Sequence, residues 1–141
     1  MTQSWIFWAV LSAAFAALTA IFAKIGVVGI NSDLATLIRT GVIIFIISAI
    51  VVATGQWQPF SSISGKTWLF LCLSGAATGA SWLAYFRALK IGDAARVAPI
   101  DKLSIVLVAV FGVVFLGEKL NLMNWLGVSL IAGGALLLAL F

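Results

Sequence analysis

Apolar residues run along this chain in five long stretches, parted by short clusters of glycine, asparagine, aspartate and proline. A helix that crosses a bilayer needs about 20 mainly apolar residues at about 1.5 Å rise each. The pattern predicts five such helices, at about 5–26, 33–54, 66–89, 95–116 and 124–141. Gly26, Gly29 and Asn31 separate the first pair, and Ser32 or Asp33 is expected to N-cap the second helix. Gly55 and Pro59 mark the longest loop, Gly92 and Asp93 the next, and Gly117 the last. Inside lipid the backbone must satisfy itself, so each stretch is read as a helix and none as a strand. The first stretch lacks a basic leader and is long for a signal peptide, so it is expected to stay as a helix.

Composition supports the same class. Hydrophobic residues make up 64% of the 141 positions and charged residues 9%. A soluble domain carries about 25% charged residues, so too few are present to cover a surface facing water. The expected fold is therefore an all-α polytopic membrane protein, a single transmembrane domain over 1–141. The net charge of +4 points to orientation and lipid head groups rather than nucleic acid. Cys72 stands alone and histidine is missing, so neither a metal site nor a cofactor is expected. Phosphate loops, nucleophile elbows and paired catalytic carboxylates are missing too, so an enzyme is not expected.

Sorting the remaining charges by membrane side is informative. One side, A, holds the N-terminus and the loops after helices two and four, and receives Lys66 and Lys119. The other, B, receives Lys24, Arg39, Arg87, Lys90, Arg96 and Lys102, which favours B in the cytoplasm. Trp5, Trp8, Trp57, Trp68 and Trp125 fall near A, as an interfacial aromatic belt would. Trp82 lies well inside the third helix.

Two groups of residues are candidates for function. Ser74, Thr78, Ser81 and Tyr85 recur at spacings of four, three and four, which places them on one face of the third helix, with Trp82, Gly75 and Gly79 beside it. Hydroxyls and small residues serve helix packing in bilayers as well as cavity walls, and both roles are open for this stripe. The second group is charged. Asp101 and Lys102 follow Pro99 in the fourth helix, Arg39 lies about two turns into the second, and Lys24 and Arg87 lie near the ends of the first and third. A charge at the bilayer centre costs roughly 2.5–3.5 kcal/mol on insertion scales, so such residues usually face a partner or water. Lys24 and Arg87 can snorkel to the interface, whereas Asp101 cannot reach far. Adjacent residues on a helix point about 100° apart, so the expected partner of Asp101 is Arg39, Lys24 or Arg87 rather than Lys102. Gly127, Gly133 and Gly134 suit close helix contact, and Gly117 suits a helix C-cap with Glu118 in water.

The run Tyr85-Phe86-Arg87-Ala88-Leu89, then Gly92, Val97-Ala98-Pro99-Ile100, Leu116-Gly117-Glu118, Gly127 and Gly133-Gly134, resembles the EamA domain of drug/metabolite transporters. Lys24 and Gly26, Ser32-Asp33, Ala35-Thr36 and Ile38-Arg39-Thr40 fit the first half, and Asp101-Lys102 after the proline is similar to the short five-helix bacterial and archaeal branch. The resemblance implies a secondary transporter of a small organic solute in the cytoplasmic membrane. Most relatives carry ten helices as two inverted five-helix repeats around a central site. One repeat then implies a second copy or a partner, and a homodimer, antiparallel by analogy, is expected. In such relatives the first, third and fourth helices line the cavity. That would place Trp82, Tyr85 and Asp101 near the substrate route; with the stripe and the charges read above, the candidate substrate and coupling residues are Trp82, Tyr85, Ser81, Thr78, Asp101, Arg39, Lys24 and Lys102. The alternative is a membrane subunit that moves nothing itself and stabilises or regulates a larger complex.

Overall fold

A computed structural model describes residues 4–141. The first three residues of the expected domain, with the N-terminus assigned to side A, lie outside the described residues. The structure is all-α, in the order α1 (Trp5–Gly26), α2 (Ser32–Ala53), a 3₁₀ turn (Phe60–Ser62), α3 (Gly65–Ile91), α4 (Ala94–Asp101), α5 (Ser104–Leu116) and α6 (Leu122–Leu140). Five stretches are long and apolar enough to cross a membrane: α1, α2, α3, α4 with α5, and α6. Their apolar side chains point outward, with Phe45 and Phe115 each 75% exposed. A soluble protein rarely exposes apolar patches of this extent, and a bilayer is the environment that covers them. The chain is a polytopic membrane protein with five spans.

Local chemistry explains the helix starts. Asn31 caps α2, its side-chain oxygen accepting from the N–H groups of Asp33 at 2.8 Å and Leu34 at 3.3 Å. The cap expected at Ser32 or Asp33 thus falls one residue earlier, and both become helical. Asn121 caps α6 in the same way, which starts that helix at Leu122 rather than near residue 124. Ser64 precedes α3 and accepts from the Thr67 N–H at 3.2 Å.

The fourth span is interrupted. Pro99 lacks the N–H that would bond back one turn, and the chain tightens just beyond it. The Leu103 N–H donates to the Ile100 carbonyl, that of Ile105 to Lys102, and that of Val106 to Leu103, each at 3.0 Å. These are the three-residue bonds of a 3₁₀ turn. The one helix expected over 95–116 is therefore two, α4 and α5.

Gly117 ends α5 with φ 69° and ψ 21°, the left-handed conformation expected of a glycine C-cap. The Glu118 N–H closes the cap on the Gly112 carbonyl at 3.0 Å. Glu118 stays exposed, as expected, but its carboxylate folds back over Gly112, 2.6 Å from where a Cβ there would stand.

By packing, the chain divides into two compact units, Met1–Phe22 with Ile91–Phe141, and Ala23–Lys90. In the first, α4 and α5 pack on α6. Arg96 donates from the start of α4 to the Ala139 carbonyl near the end of α6. In the second, the close packing lies where α1 ends, α2 begins and α3 ends. Ala23, Val27, Ser32, Ala35, Thr36, Phe86 and Leu89 are buried there. Far from that point, Phe60 stacks between Trp57 and Trp68, with ring centroids 5.5 and 5.8 Å away. Trp57 and Trp68 are two of the tryptophans expected near side A.

Candidate functional site

Within the second unit, α2 and α3 enclose a groove of about 720 Å³. That volume suits a small organic molecule. Helix α2 contributes Asp33, Thr36, Leu37, Thr40, Ile43 and Ile44, which recur at helical spacing along one face. Helix α3 contributes Ser74 and Thr78, then Gly75, Gly79 and Trp82, with Leu71 and Leu83 at the margin. The wall is apolar with a few hydroxyls. The threonine protons are already engaged: Thr36 donates to the Ser32 carbonyl at 2.9 Å, Thr40 to the Thr36 carbonyl at 2.8 Å, and Thr78 to the Ser74 carbonyl at 2.8 Å. Their oxygen lone pairs remain available as acceptors.

The wall coincides only in part with the hydroxyl stripe that the sequence suggests. Ser74 and Thr78 belong to both, while Ser81 and Tyr85 are not part of the wall. At 100° per residue the groove face of α3 is turned roughly 75° from the centre of the stripe, toward Gly75, Gly79 and Trp82. A Cβ built at Gly75 or Gly79 meets nothing within 4 Å, so the space beside both glycines is open. Thr36, Thr40 and Asp33 also line the wall, although none of them stands among the site residues suggested by the sequence. Their signal is the spacing of three and four residues along α2.

Arg39 borders this groove through Trp82. Its guanidinium lies over the Trp82 ring at 4.1 Å from the centroid and 5.5 Å from that of Phe86. Tyr85 is its electrostatic neighbour. Arg39, Trp82 and Tyr85, all candidates by sequence, thus meet in one cluster, and Arg39 is half-buried there. Among the described residues no carboxylate comes within ion-pair distance of Arg39.

The other charges are placed differently from expectation. Arg87 pairs with Asp33 in a fork, Nε to Oδ1 at 3.1 Å and Nη2 to Oδ2 at 2.7 Å. Lys24 donates to the Leu89 carbonyl at 2.7 Å, and Lys90 to the Ile30 carbonyl. These bonds tie the ends of α1 and α3 and the start of α2 together. Asp101 lies in the first unit, with its carboxylate 3.2 Å from the Lys102 ammonium. Its partner is a neighbour in sequence, although Lys102 keeps a right-handed helical backbone at φ −72° and ψ −6°.

The matching family model, described as the EamA-like transporter family, covers residues 3–140. The chain belongs to that family. This EamA-like chain is 79% identical over 141 residues to a protein of Sinorhizobium sp, with all of both chains covered. That relative bears the name "uncharacterized transporter in cobO 3'region". No solved structure matches the EamA-like chain. Family and relative both point to a transporter rather than an enzyme.

Proposed function

We propose that this EamA-like protein is a secondary transporter of a small organic solute, working by alternating access as a homodimer in the cytoplasmic membrane. The observation that carries the proposal is the groove between α2 and α3, with threonine and serine oxygens in a wall that is otherwise apolar. Polar groups at this depth are costly in lipid, and a solute or water that uses them accounts for their presence. Trp82 offers an aromatic surface to the solute, Thr78 an acceptor, and Tyr85 and Arg39 flank the entry, while Ser81 stands on the neighbouring face of α3. Lys24 holds the ends of α1 and α3 together through each transport state.

Asp101 and Lys102 act in coupling. Transporters commonly place substrate and ion sites at discontinuous helices, and the interruption after Asp101 supports that role. The five spans make one repeat, and a second copy in the opposite orientation would build an inverted pair. In one copy side B, with its excess of basic residues, faces the cytoplasm, and in the inverted copy it faces the opposite side.

Reconstitution tests the function. The purified protein alone in liposomes should accumulate or release a labelled solute down an imposed gradient. A well-folded protein that moves nothing would support the alternative of a non-transporting subunit. Reporter fusions at the C-terminus test the antiparallel pair, which requires activity on both sides of the membrane.

A further inference from the structure

We infer that the solute of the α2–α3 groove is a small organic anion, an apolar body with a carboxylate or phosphate, and that Arg39 is the group that recognises it. The inference rests on the groove being the solute site, and it adds the class of solute.

Charge and geometry on the two helices carry it. Arg39 sits two turns into α2, roughly 10 Å from the helix start at 1.5 Å per residue. Its guanidinium is engaged through its face, over Trp82 and Phe86. Stacking uses the face of the cation and leaves its in-plane N–H groups free to fork onto an oxyanion. Among the described residues no carboxylate supplies that oxyanion. A half-buried cation at this depth is expensive without an anionic partner, and a bound solute can provide one.

The opposite charge is not on offer. Asp33 is the one acidic residue in the groove wall, and both of its oxygens are held by Arg87. An organic cation would meet a carboxylate whose charge Arg87 already offsets, whereas an anion would meet Arg39 beside Trp82, a cation that no described carboxylate offsets. The hydroxyls of Thr36, Thr40 and Thr78 spend their protons on their own helices. They can accept hydrogen bonds from a solute but have no proton left for an oxyanion, which leaves the Ser74 hydroxyl in the wall and the Arg39 cation beside Trp82 as donors. The apolar remainder of the wall takes the body of the solute.

The test is ligand stabilisation of the purified protein in nanodiscs of phosphatidylcholine alone. The probes are 4-phenylbutanoate, 4-phenylbutanamide and 4-phenylbutylammonium, which share a body and differ in charge. The carboxylate should raise the melting temperature, and the amide and the ammonium should not. Arg39→Gln should weaken carboxylate binding about ten- to a hundredfold, the worth of a charge-assisted hydrogen bond, while Arg39→Lys keeps part of it. Equal or larger shifts from the amide or the ammonium overturn the inference, as does a carboxylate that has no effect or acts fully on Arg39→Gln. Stabilisation by added phosphatidylglycerol alone, through Arg39, would assign the residue to a lipid headgroup and also overturn it. Flux in liposomes separates this from the transport proposal. Carriage of cations only would remove the anion and leave transport standing; anion binding through Arg39 with no flux would do the reverse.

Discussion

The Arg39 guanidinium lies over the Trp82 ring, 4.1 Å from its centroid, and joins a cation on α2 to the wall of a groove on α3. Such contacts contribute roughly 0.5–1 kcal/mol when exposed and about 2 kcal/mol or more when desolvated. The same contact fixes the guanidinium against the aromatic ring.

Trp82→Ala removes both the aromatic surface and the support of Arg39. Trp82 is only half-buried, so the loss of stability should stay below the 3–5 kcal/mol typical of a fully buried tryptophan. The variant should still elute as a folded peak in detergent chromatography while solute flux in liposomes collapses. Trp82→Phe keeps a face for the guanidinium and should retain most of the flux. Loss of the folded peak in the alanine variant would mark Trp82 as a packing residue.

Gly75→Leu should block the groove without harming the fold. Nothing stands within 4 Å of a Cβ at that position, and leucine favours a helix by nearly 1 kcal/mol over glycine. Melting temperature should hold or rise while flux falls to background. A Gly75→Leu protein with normal flux would show that solute does not pass there.

The Asp33–Arg87 fork joins residues 54 apart in sequence at the end of the unit where α2 begins and α3 finishes. Its side chains are 45% and 63% exposed, so salt should screen it. Asp33→Asn should lower the melting temperature in low salt, and that difference should shrink in 1 M salt, with the Debye length down to about 3 Å. Exchanging the two residues should restore part of the loss. A loss of stability indifferent to salt would argue for a packing cause.

Gly117→Ala tests the cap that ends α5. At φ 69° an alanine pays the left-handed penalty, about 1 kcal/mol, so unfolding should occur at a correspondingly lower denaturant concentration. Gly117→Asn should fall between the two, because asparagine tolerates that conformation better. An alanine variant as stable as the native chain would mean that the cap relaxes without cost.

Asp101→Asn addresses coupling. It should leave the melting temperature near that of the native chain and abolish flux driven by an imposed gradient. Normal gradient-driven flux would remove Asp101 from the mechanism.

Much of the fold was legible along the chain. The five spans follow from apolar stretches of the required length, and the end of α5 from Leu116-Gly117-Glu118. Boundaries moved by one or two residues where a cap decided them, as Asn31 and Asn121 did. The break after Asp101 was signalled by Pro99, but proline kinks as well as ends helices, so its consequence needed the backbone. The site was legible only in part. Trp82, Tyr85 and Arg39 stood out because aromatic and charged residues are costly at that depth. The hydroxyl stripe lies on the same helix as the groove wall but is centred on a neighbouring face.

By itself, the sequence determined that this protein lives in a membrane as five helices. Lipid offers the backbone no partner and covers apolar side chains, so length and apolarity decide the outcome locally. Tertiary structure alone decided which charges meet. The sequence suggested Asp101 for Arg39, Lys24 or Arg87, but Arg87 took Asp33, Lys24 took the Leu89 carbonyl, and Arg39 took the Trp82 ring. These three contacts join positions 43 to 65 residues apart, and nothing in the local spacing of the charges distinguishes one partner from another. The groove likewise depends on tertiary structure, because its wall is made of threonines from α2 and of glycines and Trp82 from α3.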